Sequence, residues 1–438
     1  MSLTIMSMPE ITSEAPPVSN VPGEIRSYRN LYFLLFICGF LLRFAFVLWK
    51  KTYAGTPNDN VPFGAEICSI ADHIVRGQGF SSPFHQDTGP TAWIAPAYPF
   101  FVSLIFRIFG SYSAASAVVL LGIQCAIAAA TGITIHALGQ RTLGSQIGFW
   151  AAWIWALSPI FFRWAVSWIW DFAASAFLLS IVFILTLEVA EKNTRKLWLT
   201  LGALWAVIAL TNPALLSLMP FTFLYVIFVN HRAARHWFAS LALAGVLFAA
   251  LVSPWLIRNE RVFGRPVFFR DNFWFEFHLG NYHFSNGLGY AGKHPGANPA
   301  ELQKYAQWGE LRYIDYWKAD GLRFVKEFPT EFRELTLHRA WWFWDGTPLL
   351  YQGREWWQPW KFWPLSITGW LGLLFLLTRR PRGWLLFASA LLLYPVPYYF
   401  VYPVAKYRHA IEPELLLLSV YLVFVLWGEI RSFAHPKR

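Results

Sequence analysis

Charge is scarce in this sequence. Asp, Glu, Lys and Arg make up 14% of its 438 residues, where a soluble domain carries about 25%. Hydrophobic residues reach 56% and aromatic ones 19%, more apolar surface than one or two water-soluble cores can hide. The same balance excludes intrinsic disorder, collagen and coiled coil. What remains is an all-α polytopic membrane protein. Cysteine is nearly absent too. Cys38 and Cys125 lie in apolar runs as small core residues, and only Cys68 falls in a polar segment, so no disulfide is expected. No small-residue cleavage site follows the polar, Pro-rich stretch 1–28. The apolar run after it is expected to be an uncleaved signal-anchor.

The charge that is present is lopsided: 36 Lys and Arg against 25 Asp and Glu, a net +11. In a membrane chain this reads as basic inside loops. No helix-turn-helix, zinc-finger or RRM pattern accompanies it, so no nucleic-acid partner is expected. Apolar stretches of about 20 residues lie near 31–49, 114–137, 146–162, 169–189, 197–212, 214–229, 236–256, 363–378, 383–401 and 410–430, giving about ten transmembrane helices. Around Pro159 and Asn212-Pro213, proline either breaks one span or separates two. If the N-terminus, with Arg26 and Arg29, is cytoplasmic, alternate loops carry Arg141, then Lys192, Arg195 and Lys196, then Arg232 and Arg235, then Arg379, Arg380 and Arg382, and finally Arg431, Lys437 and Arg438. Every short inside loop is then basic, and both termini are cytoplasmic.

This layout divides the chain into a cytoplasmic tail 1–30, a transmembrane module 31–256 with a first outer loop 50–113, an outer cap 257–362, C-terminal spans 363–430 and a cytoplasmic tail 431–438. In the first loop, apolar residues around Glu66–Ile74 recur at helical spacing and predict an interfacial helix on the membrane surface. A second apolar helix, too short to span easily, starts at Pro96-Ala97-Tyr98-Pro99 and ends near Phe109-Gly110. No solenoid or inverted repeat is visible.

With acids so few, each one at the outer face is informative. Glu66 opens the first-loop helix, and Asp171 follows Trp168-Ile169-Trp170 at the outer end of the fourth span. Each also suits a plain helix-start carboxylate, favoured there by the helix dipole, and Asp171 also suits a partner for Arg163. Both fall on the same side and can line one cavity. Outward cations form a second group: Arg258, beside Asn259, where the seventh span emerges, and Lys406, Arg408 and His409 before the last span. They fit either snorkelling to lipid headgroups or a clamp for phosphate. Arg43, within the first span, either snorkels or faces the cavity.

Other matches carry less. Gly287-Leu288-Gly289-Tyr290-Ala291-Gly292-Lys293-His294 has His where a P-loop needs Ser or Thr, and no strand precedes it. His278, His283 and His294 lack zinc-site spacing. No Gly-x-Ser-x-Gly or His-Glu-x-x-His is present. The Trp341-Trp342-Phe343-Trp344 run reads first as an interfacial aromatic belt.

The first outer loop carries a resemblance. Phe63-Gly64-Ala65-Glu66, Ile70-Ala71, Gly77-Gln78-Gly79-Phe80-Ser81-Ser82-Pro83-Phe84, Gly89-Pro90-Thr91-Ala92 and Pro96-Ala97-Tyr98-Pro99 follow in order. With Pro254-Trp255-x-x-Arg258-Asn259, Gly280-Asn281 and Tyr407-Arg408-His409-x-x-x-Pro413, they resemble bacterial GT-C glycosyltransferases of the family 39 type, related to protein O-mannosyltransferases and the lipid A aminoarabinose transferase. The likeness is strong in the first loop and weak in the cap. It implies a GT-C architecture in the bacterial inner membrane with a periplasmic active site. It also implies a polyprenyl-phosphate-linked sugar as donor and a lipid, glycan or protein hydroxyl as acceptor. Glu66 matches the family's catalytic acid, although many members carry Asp-Glu where this chain has Ala65-Glu66. Asp171 matches a second, supporting acid, and Arg408 the region that contacts the lipid phosphate.

The residues suit that chemistry independently. A sugar phosphate brings its own leaving group, so the enzyme needs a base for the acceptor hydroxyl and cations for the departing phosphate. Glu66 suits the first task; Arg408, with Lys406, Arg258 and the neighbouring His409, suits the second. Direct attack inverts the anomeric carbon. No metal-ligand cluster is visible, and no cofactor or divalent metal is expected. The alternatives are a secondary transporter or lipid flippase with buried charges along its path, or a non-catalytic membrane scaffold. The uneven span arrangement and missing repeat count against transport.

Overall fold

The computed structural model describes residues 22–55, 62–233, 236–346 and 358–434. Most of the expected N-terminal tail, Arg235, part of the cap and the last four residues, Lys437 and Arg438 among them, lie outside the described residues. The described chain is helical, with two isolated β-bridges and no strand. Its helices are α1 (Pro22–Lys50), α2 (Ala65–Val75), α3 (Ala97–Phe109), α4 (Ala114–Thr142), α5 (Ser145–Leu157), α6 (Arg163–Ser167), α7 (Phe172–Lys192), α8 (Arg195–Thr211), α9 (Met219–Arg232), α10 (Phe238–Phe263), α11 (Phe273–Gly280), α12 (Pro299–Trp308), α13 (Glu310–Glu327), α14 (Pro329–Asp345), α15 (Gln358–Arg379), α16 (Trp384–Leu392), α17 (Val396–Phe400) and α18 (Glu412–Ala434).

Seven helical stretches are long and apolar enough to cross a membrane: Tyr28–Lys50, Ala114–Thr142, Phe172–Lys192, Pro213–Arg232, Phe238–Phe263, Phe362–Arg379 and Ala405–Gly428. The other expected spans coincide with helices that are shorter. Ser145–Leu157 has 13 residues and Arg195–Thr211 has 17, and the run Trp384–Phe400 is likewise a shorter apolar stretch.

The prolines decide where these helices stop. α5 ends at Ser158-Pro159, and the carbonyls this exposes are taken up by Arg43 from α1. Its guanidinium donates to Trp155 O (2.7 Å) and Ala156 O (3.0 Å) and lies over the Phe162 ring. Arg43 therefore neither snorkels nor faces a cavity: it caps a broken helix, pairing two carbonyls that the break would leave in an apolar interior. The helices meet at small residues, as membrane bundles do. A β-carbon on Gly139 of α4 would fall 2.6 Å from Gly148 Cα of α5, and one on Gly372 of α15 would fall 2.2 Å from the Leu418 carbonyl of α18.

At one end of the bundle, basic residues pair with acids on neighbouring helices: Arg141 with Glu188 (2.7 Å) and Arg382 with Glu191 (3.0 Å). At the other end, the first loop and the segment 264–346 share one core, in which Phe63, Ile67, Phe84 and Trp93 pack with Phe275, Tyr305, Tyr313 and Trp317. This changes the picture of α2. Ile67 through His73 are buried in that core, so the apolar face expected to rest on the bilayer is turned into protein. The lipid-facing character belongs to α3, where Phe100, Leu104 and Ile108 form an exposed stripe at four-residue spacing.

Candidate active site

Two stretches far apart in sequence are stitched together beside the first loop. The Ile169 N–H donates to Pro62 O (2.8 Å), and Phe63 and Ile169 form a parallel bridge. The pairing draws the start of α2, with Glu66 in its first turn, towards the stretch that ends in Asp171, immediately before α7. A buried amide on α4 fixes the second stretch. Gln124 Nε2 donates to Ala165 O (3.2 Å) and Trp168 O (2.9 Å), while Oε1 accepts from the Trp170 N–H (2.9 Å) and the Tyr98 hydroxyl (2.5 Å). All four hydrogen-bonding positions of the amide are used, so its burial leaves nothing unpaired.

These elements enclose a cavity of about 340 Å³ at the end of the bundle. Trp170, Phe172, Tyr98, Phe273, Tyr398 and Tyr407 supply aromatic walls, and Asp171, Lys406, Arg270, Glu276 and Asn212 supply the polar groups. Asp171 is 7% exposed. Burial pushes its carboxyl up to about 6, against the opposing pull of Arg270, Ser175 and Lys406. The Ser175 hydroxyl lies 3.4 Å from Asp171 Oδ2 and accepts from Asn212 Nδ2 (3.0 Å). Asn212 thus ties the break between α8 and α9 to the acid.

Glu66 is half-buried and does not itself line the cavity; it is one residue from the cavity-lining Ile67, with His294 Nε2 3.5 Å from its Oε1. The Lys406 ammonium is held over the rings of Trp168 (4.4 Å) and Trp170 (5.3 Å). The carboxylates that attract it are Glu66, Glu276 and Asp171. Arg270 is fixed through Nε, which donates to Asn272 Oδ1 (2.8 Å). Glu276 accepts from Asn272 Nδ2 (3.1 Å) and from the Tyr402 hydroxyl. Cations and carboxylates therefore converge on one enclosed space with aromatic sides.

An apolar groove of about 480 Å³ adjoins this space on the bundle surface between α3, α8 and α10. Phe80, Phe100, Leu210, Leu251 and Trp255 line it. Its Pro96 and Leu210 are the chain neighbours of Ala95 and Thr211 in the cavity wall.

Of the residues singled out from sequence, the structure puts Asp171 and Lys406 in the cavity wall and Glu66 within electrostatic reach of Lys406. It does not bring Arg408, His409 or Arg258 to the cavity. Arg408 is fully buried, donates to Ser366 Oγ (2.8 Å), pairs with Glu412 (3.5 Å) and lies 3.7 Å over the Phe362 ring. His409 Nδ1 contacts the same Glu412 at 2.8 Å, and its ring stacks on Trp155. Two residues apart, Lys406 and Arg408 diverge because the 3₁₀ turn Ala405–Ile411 advances about 120° per residue and so sends them to different sides. Arg258 donates to Thr91 O (2.7 Å) and Phe80 O (2.6 Å) and braces the first loop. Arg270, Glu276 and Asn212 are additions from the structure. Among the described residues no group of three His, Cys, Asp or Glu is placed to hold a metal.

Residues 93–257 match the family model of dolichyl-phosphate-mannose-protein mannosyltransferases. That span contains Asp171, Asn212 and Gln124, but neither Glu66 nor Lys406. The fold is similar to the archaeal oligosaccharyltransferase AglB from Archaeoglobus fulgidus, solved with an inhibitory peptide and a dolichol-phosphate, at 13% identity and a TM-score of 0.53 over 95% of this chain. This is a GT-C fold. A second structure of the Archaeoglobus fulgidus oligosaccharyltransferase, tethered to an acceptor peptide, aligns at 12% identity and a TM-score of 0.51 over 94% of the chain. The chain described here spans 52% and 51% of those two proteins. No curated protein matches it.

Proposed function

We propose that this protein is an inverting glycosyltransferase that moves a sugar from a polyprenyl-phosphate donor to a hydroxyl acceptor, a lipid, glycan or protein, at the periplasmic face of a bacterial inner membrane. The observation that carries this reading is the cavity: carboxylates and cations enclosed with aromatic walls, next to an apolar groove on the bundle surface. Such a groove suits a polyprenyl tail and the cavity a sugar phosphate. Aromatic faces suit the apolar faces of a sugar ring. The GT-C fold and the mannosyltransferase family match support the same reaction class.

In the proposed step, the acceptor oxygen attacks the anomeric carbon as the carbon–oxygen bond to phosphate breaks. Glu66 takes the hydroxyl proton, polyprenyl phosphate departs, and the anomeric configuration inverts. Asp171, anchored by Ser175, orients the sugar hydroxyls that flank the reacting carbon. Lys406 and Arg270 face the charge growing on the phosphate, where fixed cations in an enclosed site are most effective. Arg408, His409 and Arg258 hold the walls behind them.

The test uses the purified protein in lipid vesicles with a panel of polyprenyl-phosphate-linked sugars, reading the release of free polyprenyl phosphate. Release by wild type that falls by about 10²–10⁴-fold in Glu66→Gln, with donor binding kept, supports the reading. Equal release by the two proteins contradicts the role of Glu66. A larger loss in Asp171→Asn than in Glu66→Gln would exchange the roles of the two acids. Transport of the intact donor across the vesicle without release would favour the flippase alternative.

A further inference from the structure

Behind the cavity, a second pair of acids joins the segment 264–346 to the first loop. Glu310 opens α13 and is 4% exposed. One carboxylate oxygen accepts from the Ala92 N–H (2.5 Å), and the other accepts from the hydroxyls of Thr91 and Tyr305. The Ala92 carbonyl in turn accepts from the Asp271 N–H (3.1 Å). The Asp271 side chain meets that of Glu310. Both Asp271 oxygens are shut off from solvent, and among the described residues no donor beyond its own backbone N–H reaches either.

Two acceptors thus face each other in a sealed, low-dielectric space with no donor between them. As two anions they repel strongly. With one proton the same contact is a short, charge-assisted hydrogen bond. We propose that Asp271 and Glu310 share a single proton at neutral pH, and that this shared proton clasps the cap to the first loop and so positions the cavity wall.

The surroundings fit. Burial and the charge of Glu310 both raise the Asp271 carboxyl, and burial raises that of Glu310. The cations that act on the pair are committed elsewhere: Arg258 of α10 to Thr91 O and Phe80 O, and Arg265, on the chain before α11, to Asp315 at 2.7 and 3.0 Å. From α12 comes the neutral Tyr305 hydroxyl. Arg258 feels the charge of both acids but gives its hydrogen bonds to neutral oxygens, so among the described residues no cation donates to either carboxyl. What the clasp positions is also clear. Ala92 lies two and three residues before Ile94 and Ala95, and Asp271 is the neighbour of Arg270; Ile94, Ala95 and Arg270 all line the cavity. Asp271 and Glu310 are positioning residues, and the clasp stands whether or not the cavity transfers a sugar.

The sign of the pH effect follows from linkage. An undocked Asp271 returns to an ordinary carboxylate near 4, so the clasped state holds one proton more than the open one. Raising pH then favours opening by about tenfold per unit until the clasped pair itself titrates. The experiment is hydrogen exchange by mass spectrometry on the full-length protein in lipid nanodiscs between about pH 5 and 7, reading peptides over residues 88–95 and 266–276. After correction for intrinsic exchange, wild-type protection should fall about tenfold per pH unit. Asp271→Asn, whose amide donates to Glu310 permanently, should stay protected with a flat profile. Infrared spectra at neutral pH supply a second readout: a protonated carboxyl band present in wild type and lost in both Asp271→Asn and Glu310→Gln. A wild-type profile as flat as that of Asp271→Asn, or the absence of that band, overturns the proposal.

Discussion

Gly64 is pressed against Trp170: a β-carbon on the glycine would come within 2.5 Å of the indole Cε3 and 2.8 Å of the Ile169 carbonyl. This contact closes the Phe63–Ile169 bridge and sets the spacing between Glu66 and Asp171. Gly64→Ala must push the two stretches apart, and overpacking of this kind costs about 1–3 kcal/mol. We expect a folded protein with a lowered melting temperature and strongly reduced transfer. A variant with full transfer activity would show that the spacing of the two acids does not matter.

Gln124 holds the other side of the same junction. Gln124→Leu removes four hydrogen bonds and strands the carbonyls of Ala165 and Trp168 and the Trp170 N–H in an apolar interior. Each buried group left unpaired costs about 1–3 kcal/mol. Hydrogen exchange should show the loss confined to residues 163–171, with the basic end of the bundle unchanged.

Lys406 and Arg408 separate function from structure. Lys406→Met should leave thermal stability nearly unchanged and weaken donor binding, measured by titration with a polyprenyl phosphate. Arg408→Met leaves Glu412 with its guanidinium partner removed inside the bundle, a change that costs about 3–5 kcal/mol. It should therefore act on folding yield first. Equal donor affinities for Lys406→Met and wild type would remove Lys406 from the phosphate site.

Asp171 gives the pH dependence. Its carboxyl lies near 6 in the folded protein, against about 4 in an unfolded chain. Transfer that needs the Asp171 anion should rise with pH through about 6, and Asp171→Asn should abolish that limb of the profile. Native Asp171 holds its proton more tightly than the unfolded chain does. Its contribution to stability therefore declines as pH rises from about 4 to about 6 and is constant above.

The bundle was legible in sequence because apolar runs of helical length have few alternatives in a chain with so little charge. The proline breaks at Pro159 and Asn212-Pro213 were legible for the same reason. Glu66 and Asp171 stood out as rare acids beside predicted span ends. The cation assignment was not legible. Lys406 and Arg408 look alike in sequence, and only the 3₁₀ turn that follows Val404 turns one to the cavity and buries the other. Arg270 and Glu276 were hidden in a segment whose periodicity is drowned by aromatics, and their place depends on the clasp between Ala92 and Asp271. Gln124 carried no signal, since one amide in an apolar run gains its meaning from the loop it holds. α2 reads as amphipathic, but the sequence does not say whether lipid or a second layer of protein covers its apolar face.

The central claim, transfer of a lipid-linked sugar with Glu66 as base, is tested most directly by mass spectrometry of envelope glycolipids, glycans and glycoproteins from a deletion strain complemented with wild type or with Glu66→Gln. The account predicts that one sugar mass disappears from one acceptor on deletion, returns with wild type, and stays absent with a Glu66→Gln protein present at the same level in the membrane. An unchanged profile on deletion, with the protein expressed in the parent strain, or full restoration by Glu66→Gln, would contradict it.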